Sequence, residues 1–202
     1  MQREARSEGR SLVAGLGSVA ALLAAALLVL GAWAVVVGRA SLRNWLALLF
    51  GINSGLGGAL ITLRVINSVD VAILALGAVA FAGFWPGPAR PHRVWLGLAI
   101  GLPVAGIGVL FATGLWGRSG LMGGGLVLSI LMLGARELRP LGYVGIVANS
   151  LLLVGDFATA GTRSLLVAAL VAVGYLALIV WFVWMSIRLA TASVGPSRAA
   201  HT

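Results

Sequence analysis

The chain has 202 residues, 60% of them hydrophobic, with a mean hydropathy of +1.07 and only 9% charged residues. A water-soluble globule carries roughly 25% charge, so this composition excludes one and predicts an all-α, polytopic membrane helical bundle. The formal charge of +9 comes from 14 basic residues, all of them Arg, against 5 acidic ones; they stand singly between apolar runs and read as topology determinants, not as a nucleic-acid surface.

A membrane-spanning helix needs roughly 20 mainly apolar residues, and the uncharged runs set out seven spans in one integral membrane domain, 1–202, near 11–38, 44–64, 69–86, 94–116, 119–136, 140–158 and 164–187. The first follows Arg3, Arg6 and Arg10. Read as a signal sequence it would be cleaved after Ala32-Trp33-Ala34, but its uncharged run far exceeds the roughly 7 to 15 residues of such a segment, so it is expected to stay as a span. The second carries Asn53, Ser54 and Thr62 and ends at Arg64. A tight interfacial turn holding Asn67, Ser68 and Asp70 is expected to lead into the third, with the Asp70 carboxylate solvated.

Pro86-Gly87-Pro88-Ala89-Arg90-Pro91-His92-Arg93 cannot be helical and separates the third span from the fourth, in which Pro103 predicts a kink. The fifth and sixth are marginal in length and are extended by counting Arg136 and Asp156 as helix ends. Six spans is the alternative, with 119–158 forming one span and a re-entrant piece. Glu137, between Arg136 and Arg139, is a loop charge, and the seventh span closes on Trp181 and Trp184.

Seven spans place Trp33, Trp45, Trp85, Trp95, Trp181 and Trp184 on one side, where interfacial Trp belongs, with Trp116 opposite. The loops on the Trp-rich side hold Arg39 and Arg43, Arg90 and Arg93, then Arg136 and Arg139; the opposite loops hold Arg64, Arg118 and Arg163. The positive-inside rule then puts the C-terminus in the cytoplasm and the N-terminus outside, against the pull of Arg3, Arg6 and Arg10. Gly/Ala/Leu-rich spans, short Arg loops and the lack of Lys and Cys suit a plasma-membrane protein of a GC-rich bacterium.

Gly51-x3-Gly55, Gly97-x3-Gly101 and Gly120-x3-Gly124 are small-xxx-small patterns that let helices approach in lipid, although such spacings arise by chance among 29 Gly. Without Lys there is no retinal or pyridoxal Schiff base and no P-loop; without Cys there is no disulfide, thiolate nucleophile or iron–sulfur cluster. His92 and His201 lie in a loop and a tail, which excludes a bis-histidine haem. No paired carboxylates, His-based triad, metal-ligand cluster or Gly-x-Ser-x-Gly elbow is present. No catalytic residue, metal site or cofactor is therefore expected, and an enzyme is not the expected class.

Polar side chains at membrane depth are costly and are functional candidates by default. Asn149 and Asp156 are seven residues apart, on one helix face, and with Asn53, Ser150 and Arg64 they form the expected site for an ion or small solute between the second and sixth spans. The bland alternative makes Asp156 a tether to Arg163 or Arg64; Asp70 with Asn67 is the second candidate. A faint echo between Gly51-Ile52-Asn53-Ser54 and Gly145-Ile146-Val147-Ala148-Asn149-Ser150, offset by 96 at the Asn, would make the chain a 3+1+3 parallel repeat, a transporter architecture. The expectation is a transporter or channel-like protein in the lipid bilayer. The alternative is a scaffold or accessory subunit that holds a second copy, a membrane-complex partner or anionic lipid; no nucleic acid is expected.

Overall fold

The computed structural model describes residues 2–37, 56–84, 93–113, 117–159 and 165–194. Among them are six α-helices and no strand: α1 (Gln2–Val37), α2 (Leu56–Ala82), α3 (Arg93–Thr113), α4 (Gly117–Leu133), α5 (Arg139–Thr159) and α6 (Leu165–Val194). Each is an apolar run in which Pro103 is the one interior proline. Their ends fall where the sequence supplies a stop or a start. α2 closes on Gly83, whose N–H donates to Val79 O and Ala80 O at 3.1 Å, and α4 closes on Gly134. α5 opens with Arg139-Pro140, where the missing proline N–H would have had no helical partner.

The seven-span expectation is not confirmed: six helices stand among the described residues, no break occurs between Arg64 and Asp70, and 44–55 of the expected second span lies outside the described residues. The stretch from Arg64 to Asp70 contains neither Gly nor Pro, so nothing in it stops a helix, and α2 runs straight through as one element. The polarity that suggested a turn is accommodated in place, since Asp70 finds a partner on α4. The six-span alternative also fails in its detail, because 119–158 forms two full helices, α4 and α5. The 3+1+3 division, which needs seven spans, is not the arrangement of the described helices.

The helices close a ring. α1 packs on α2 and α6, and each of α2 to α5 packs on the next in sequence, while α2 also touches α4 across the interior. Chain direction alternates around it. Gly120 lies against Leu102 and Gly106, and Gly124 against Ala99 and Pro103, so α3 and α4 are antiparallel. Gly125 meets Asn149 while Gly142 meets Ser129, and Gly155 meets Val171 while Gly174 meets Leu152, which makes α5 antiparallel to both α4 and α6. α2 runs parallel to α6: Gly77 faces Phe182 and Gly83 faces Leu189. In α1, Gly17 lies against Gly83 and Leu189, near the late ends of α2 and α6, yet its buried face continues to Leu28. Only an antiparallel α1 keeps that face inside the ring. The N-terminal end of α1 and the C-terminal end of α6 therefore lie at the same end of the bundle.

Side-chain size is sorted in the opposite sense to a soluble bundle. The inner face of α1 is Ala14, Gly17, Ser18, Ala21, Ala24 and Ala25, while Leu12, Leu16, Val19, Leu22, Leu23 and Leu30 face outward. Small residues inside let backbones approach, and bulky apolar ones outside suit a hydrocarbon solvent. Ser18 Oγ donates to Ser186 O at 2.9 Å, a polar tie buried between α1 and α6. Among the residues whose side chains are described, three helices are long and apolar enough to cross a membrane, over Ser11–Gly31, Arg93–Ala112 and Leu165–Ser193; the apolar stretches described in α2, α4 and α5 are shorter.

The interior is filled by Phe81, Trp181 and Phe182, with Phe81 edge-on to Trp181 at 5.8 Å and stacked on Phe182 at 6.3 Å. The expectation that Trp181 and Trp184 mark an interface is corrected: Trp181 is fully buried and Trp184 half-buried. Trp95, at the start of α3, is exposed as an interfacial Trp would be.

Candidate functional site

Two polar clusters lie inside the ring, and both involve α4 and α6. The first is built on glycines. At Gly125 of α4 and Gly145 of α5 the absence of a side chain brings the helices together, since a Cβ on Gly125 would sit 2.5 Å from Asn149 Oδ1 and one on Gly145 would sit 2.5 Å from Trp181 Nε1. Into that contact project Ser129, Asn149 and Trp181, from three different helices and all buried.

Two of the polar groups there are occupied locally. Ser129 Oγ donates to Gly125 O at 2.6 Å, one turn back on its own helix, and Asn149 Nδ2 donates to Gly145 O at 2.7 Å in the same way. Two are not. Asn149 Oδ1, an acceptor, and Trp181 Nε1–H, a donor, are buried with no hydrogen-bond partner among the described residues. Buried polar groups are nearly always satisfied, and leaving one unmade costs about 1 to 3 kcal/mol. An unused acceptor and an unused donor on the two sides of Gly145 are the chemistry of a binding site.

The cluster lies at mid-depth. At about 1.5 Å rise per residue, Ser129 is about 16 Å along α4 from Arg118, and Asn149 is about 15 Å along α5 from Arg139.

The second cluster lies at the end of the bundle away from the chain termini. Arg118, in the first turn of α4, donates from Nε to Asp70 Oδ1 of α2 at 3.0 Å and from Nη1 to the Tyr175 hydroxyl of α6 at 3.0 Å. Its Nη2 lies 2.9 Å from the same carboxylate oxygen, with the Asp70 side chain 10% exposed and that of Arg118 42% exposed. One guanidinium thus ties together the three helices that run in the same direction. The expected solvated carboxylate in a turn is corrected here: Asp70 is helical, buried and ion-paired.

The expected site is brought together only in part. Asn149 is buried, facing α4 and not α2, and its nearest polar neighbours are those of α4 and α6. Ser150, one residue on, is half-buried. Asp156 belongs to α5, and Arg64 and Asn67 belong to α2, but their side chains, and all of Asn53, lie outside the described residues. The principal neighbours of α2 are α1, α3 and α4, whereas those of α5 are α4 and α6, so the helices bearing Arg64 and Asn149 are not packed as the expected pair.

Ser129 and Tyr175 went unnoticed in the sequence, and Trp181 and Arg118 were read as interfacial and loop residues. Ser129 did carry a signal, as a lone hydroxyl deep in an apolar run. Arg118 was read as a loop charge because it borders a run, and nothing in sequence distinguishes a boundary Arg that turns inward from one that faces water.

Comparison with protein-family models, with curated proteins and with solved structures gave no match for this chain.

Proposed function

We propose that this chain is a multi-pass protein of a bacterial plasma membrane that transports a small solute by way of a mid-depth site formed by Ser129, Asn149 and Trp181. The observation that carries the reading is the pair of buried, unpartnered groups, Asn149 Oδ1 and Trp181 Nε1, on facing helices. Polar groups inside a membrane bundle mark solute pathways far more often than they mark stability, because apolar packing would be cheaper. In transporters such groups lie near the midplane, and Asn149 is ten residues from either end of α5.

A transporter is favoured over an open pore. Asn149 is 1% exposed, and Phe81, Trp181 and Phe182 fill the ring beside it, so a solute reaches the site only if helices move apart. The tie of Arg118 to Asp70 and Tyr175 would close the approach from one end, and the aromatic trio the approach from the other.

Orientation follows from the start of α1 and the end of α6 lying at one end of the bundle. Arg3, Arg6, Arg10, Arg93, Arg136, Arg139 and Arg188 belong to the end that carries both termini, and Arg64 and Arg118 to the opposite end, among the described residues. With seven spans the N-terminal arginines opposed the others; with six they join them. The positive-inside rule then puts both termini in the cytoplasm, in place of an external N-terminus.

The test is reconstitution. Liposomes containing the protein should show flux of a solute or ion above protein-free vesicles, and Asn149→Leu should reduce it to the background while the protein still elutes as the same species. If neither uncharged solutes nor ions move faster than in empty vesicles, the transport reading is overturned. The second reading, a membrane scaffold, is favoured by the outward face of α3, where Gly97, Gly101 and Gly108 have nothing within 4 Å. Its test is recovery of a stable partner or second copy from mild detergent.

A further inference from the structure

Resting on the transport reading, we infer that the molecule taken up between Ser129, Asn149 and Trp181 is uncharged and both donates and accepts hydrogen bonds, in the class of urea and short polyols. The polar groups offered are an amide carbonyl oxygen, an indole N–H and a hydroxyl, and none is ionisable in the ordinary pH range. The unused amide oxygen calls for a donor on the ligand, and the unused indole N–H for an acceptor. A metal cation would satisfy the first and repel the second. An anion would do the reverse.

Charge is distant from the cluster along every helix that builds it. At about 1.5 Å per residue, Arg118 and Arg139 are about 15 Å away along α4 and α5, and Arg188 is about 10 Å beyond Trp181 on α6. Asp156 is seven residues from Asn149, about 10 Å along the axis at the same rise. Among the described residues, the groups in contact with the cluster are apolar or glycine: Phe81, Phe182, Gly125 and Gly145. An ion placed there would lose its hydration with no counter-charge in contact, which is prohibitive in a low-dielectric interior. A neutral molecule that replaces hydrogen bonds to water by bonds to Asn149 and Trp181 has no such penalty. At Gly125 and Gly145 the helices approach so closely that even a single Cβ would clash with Asn149, Ser129 or Trp181, so the molecule is taken up only as the helices part.

The experiment uses the full chain in proteoliposomes, with urea and glycerol uptake followed by stopped-flow light scattering. Potassium, sodium and proton fluxes are read in parallel with entrapped dyes. Urea or glycerol uptake should exceed that of protein-free vesicles, with all three cation fluxes at background. Trp181→Phe, which keeps the ring and removes only the N–H, should slow uptake roughly tenfold, the loss of one hydrogen bond of about 1.4 kcal/mol. Asn149→Leu, close in shape, should slow it at least as much, and Tyr143→Phe, exposed on the outer face of α5, should leave it unchanged. Cation flux without urea or glycerol flux overturns the inference and leaves transport standing. Uptake that both variants leave at the wild-type rate overturns the assignment to this cluster. Background rates for every solute overturn the transport reading and the inference with it.

Discussion

Asn149 rests on the bare Cα of Gly125, so that a methyl group added there would lie within 3 Å of every atom of the carboxamide tip. The contact sets the approach of α4 to α5 and fixes where the amide oxygen points. Gly125→Ala should therefore push Asn149 out of place and destabilise the bundle by about 1 to 3 kcal/mol, the usual range for overpacking. Adding Asn149→Ala should restore part of the loss, because the new methyl then has room. Thermal unfolding in detergent measures both; strictly additive losses would show that the two positions do not touch.

The Asp70–Arg118 pair gives a second cycle. Replacing one member strands the other, and Asp70→Asn or Arg118→Gln alone should cost about 1 to 3 kcal/mol, reduced from the fully buried case because Arg118 is 42% exposed. The double variant should lose less than the sum of the two. Tyr175→Phe, which removes one acceptor for Arg118, should cost less than either. Additivity in unfolding midpoints would separate the pair.

Much of this was legible in the sequence and some was not. Apolar runs match α3, α4 and α5 nearly to both ends, and α1 and α6 at one end each, since length and hydropathy are properties of each segment alone. The error at Arg64 to Asp70 came from treating polar residues as a break, when what ends a helix is backbone chemistry, and that stretch has no Gly or Pro. Asn149 stands out in the sequence by its depth in an apolar run, and it is buried. Its partners were not, because which helix faces which depends on ring closure, and a one-helix error in the count moves every later helix to a new neighbour. Trp181 was misread for the related reason that an interfacial Trp and a core Trp near a helix end look alike in sequence.

Two glycines of α1 offer a paired test of packing. Gly17 lies against Gly83 and Leu189, with a built Cβ only 2.8 Å from the Gly83 Cα, whereas Gly15 has nothing within 4 Å. Gly17→Leu should detach α1 from α2 and α6 and lower the unfolding midpoint sharply. Gly15→Leu should stay within about 0.5 kcal/mol of wild type. Equal effects would mean that α1 does not dock through this face.

Topology is open to direct measurement. Reporter fusions at the N-terminus and at the C-terminus should both report the cytoplasm. Opposite locations for the two would require an odd number of crossings and would overturn the six-helix arrangement.

The turn at 134–138 has a consequence for biosynthesis. It joins α4 to α5 in five residues, with Leu138 N–H donating to Ala135 O at 2.9 Å and Arg139 N–H to the same oxygen at 3.1 Å. Each of the two helices carries a buried polar side chain that meets the other, Ser129 or Asn149, and that side chain would face lipid until they pack. On the membrane reading these two helices leave the insertion machinery as one hairpin, with Arg136 and Glu137 held on the ribosome side. The glycine contact that shapes the proposed site is then also the contact that covers these polar groups as the pair enters the bilayer.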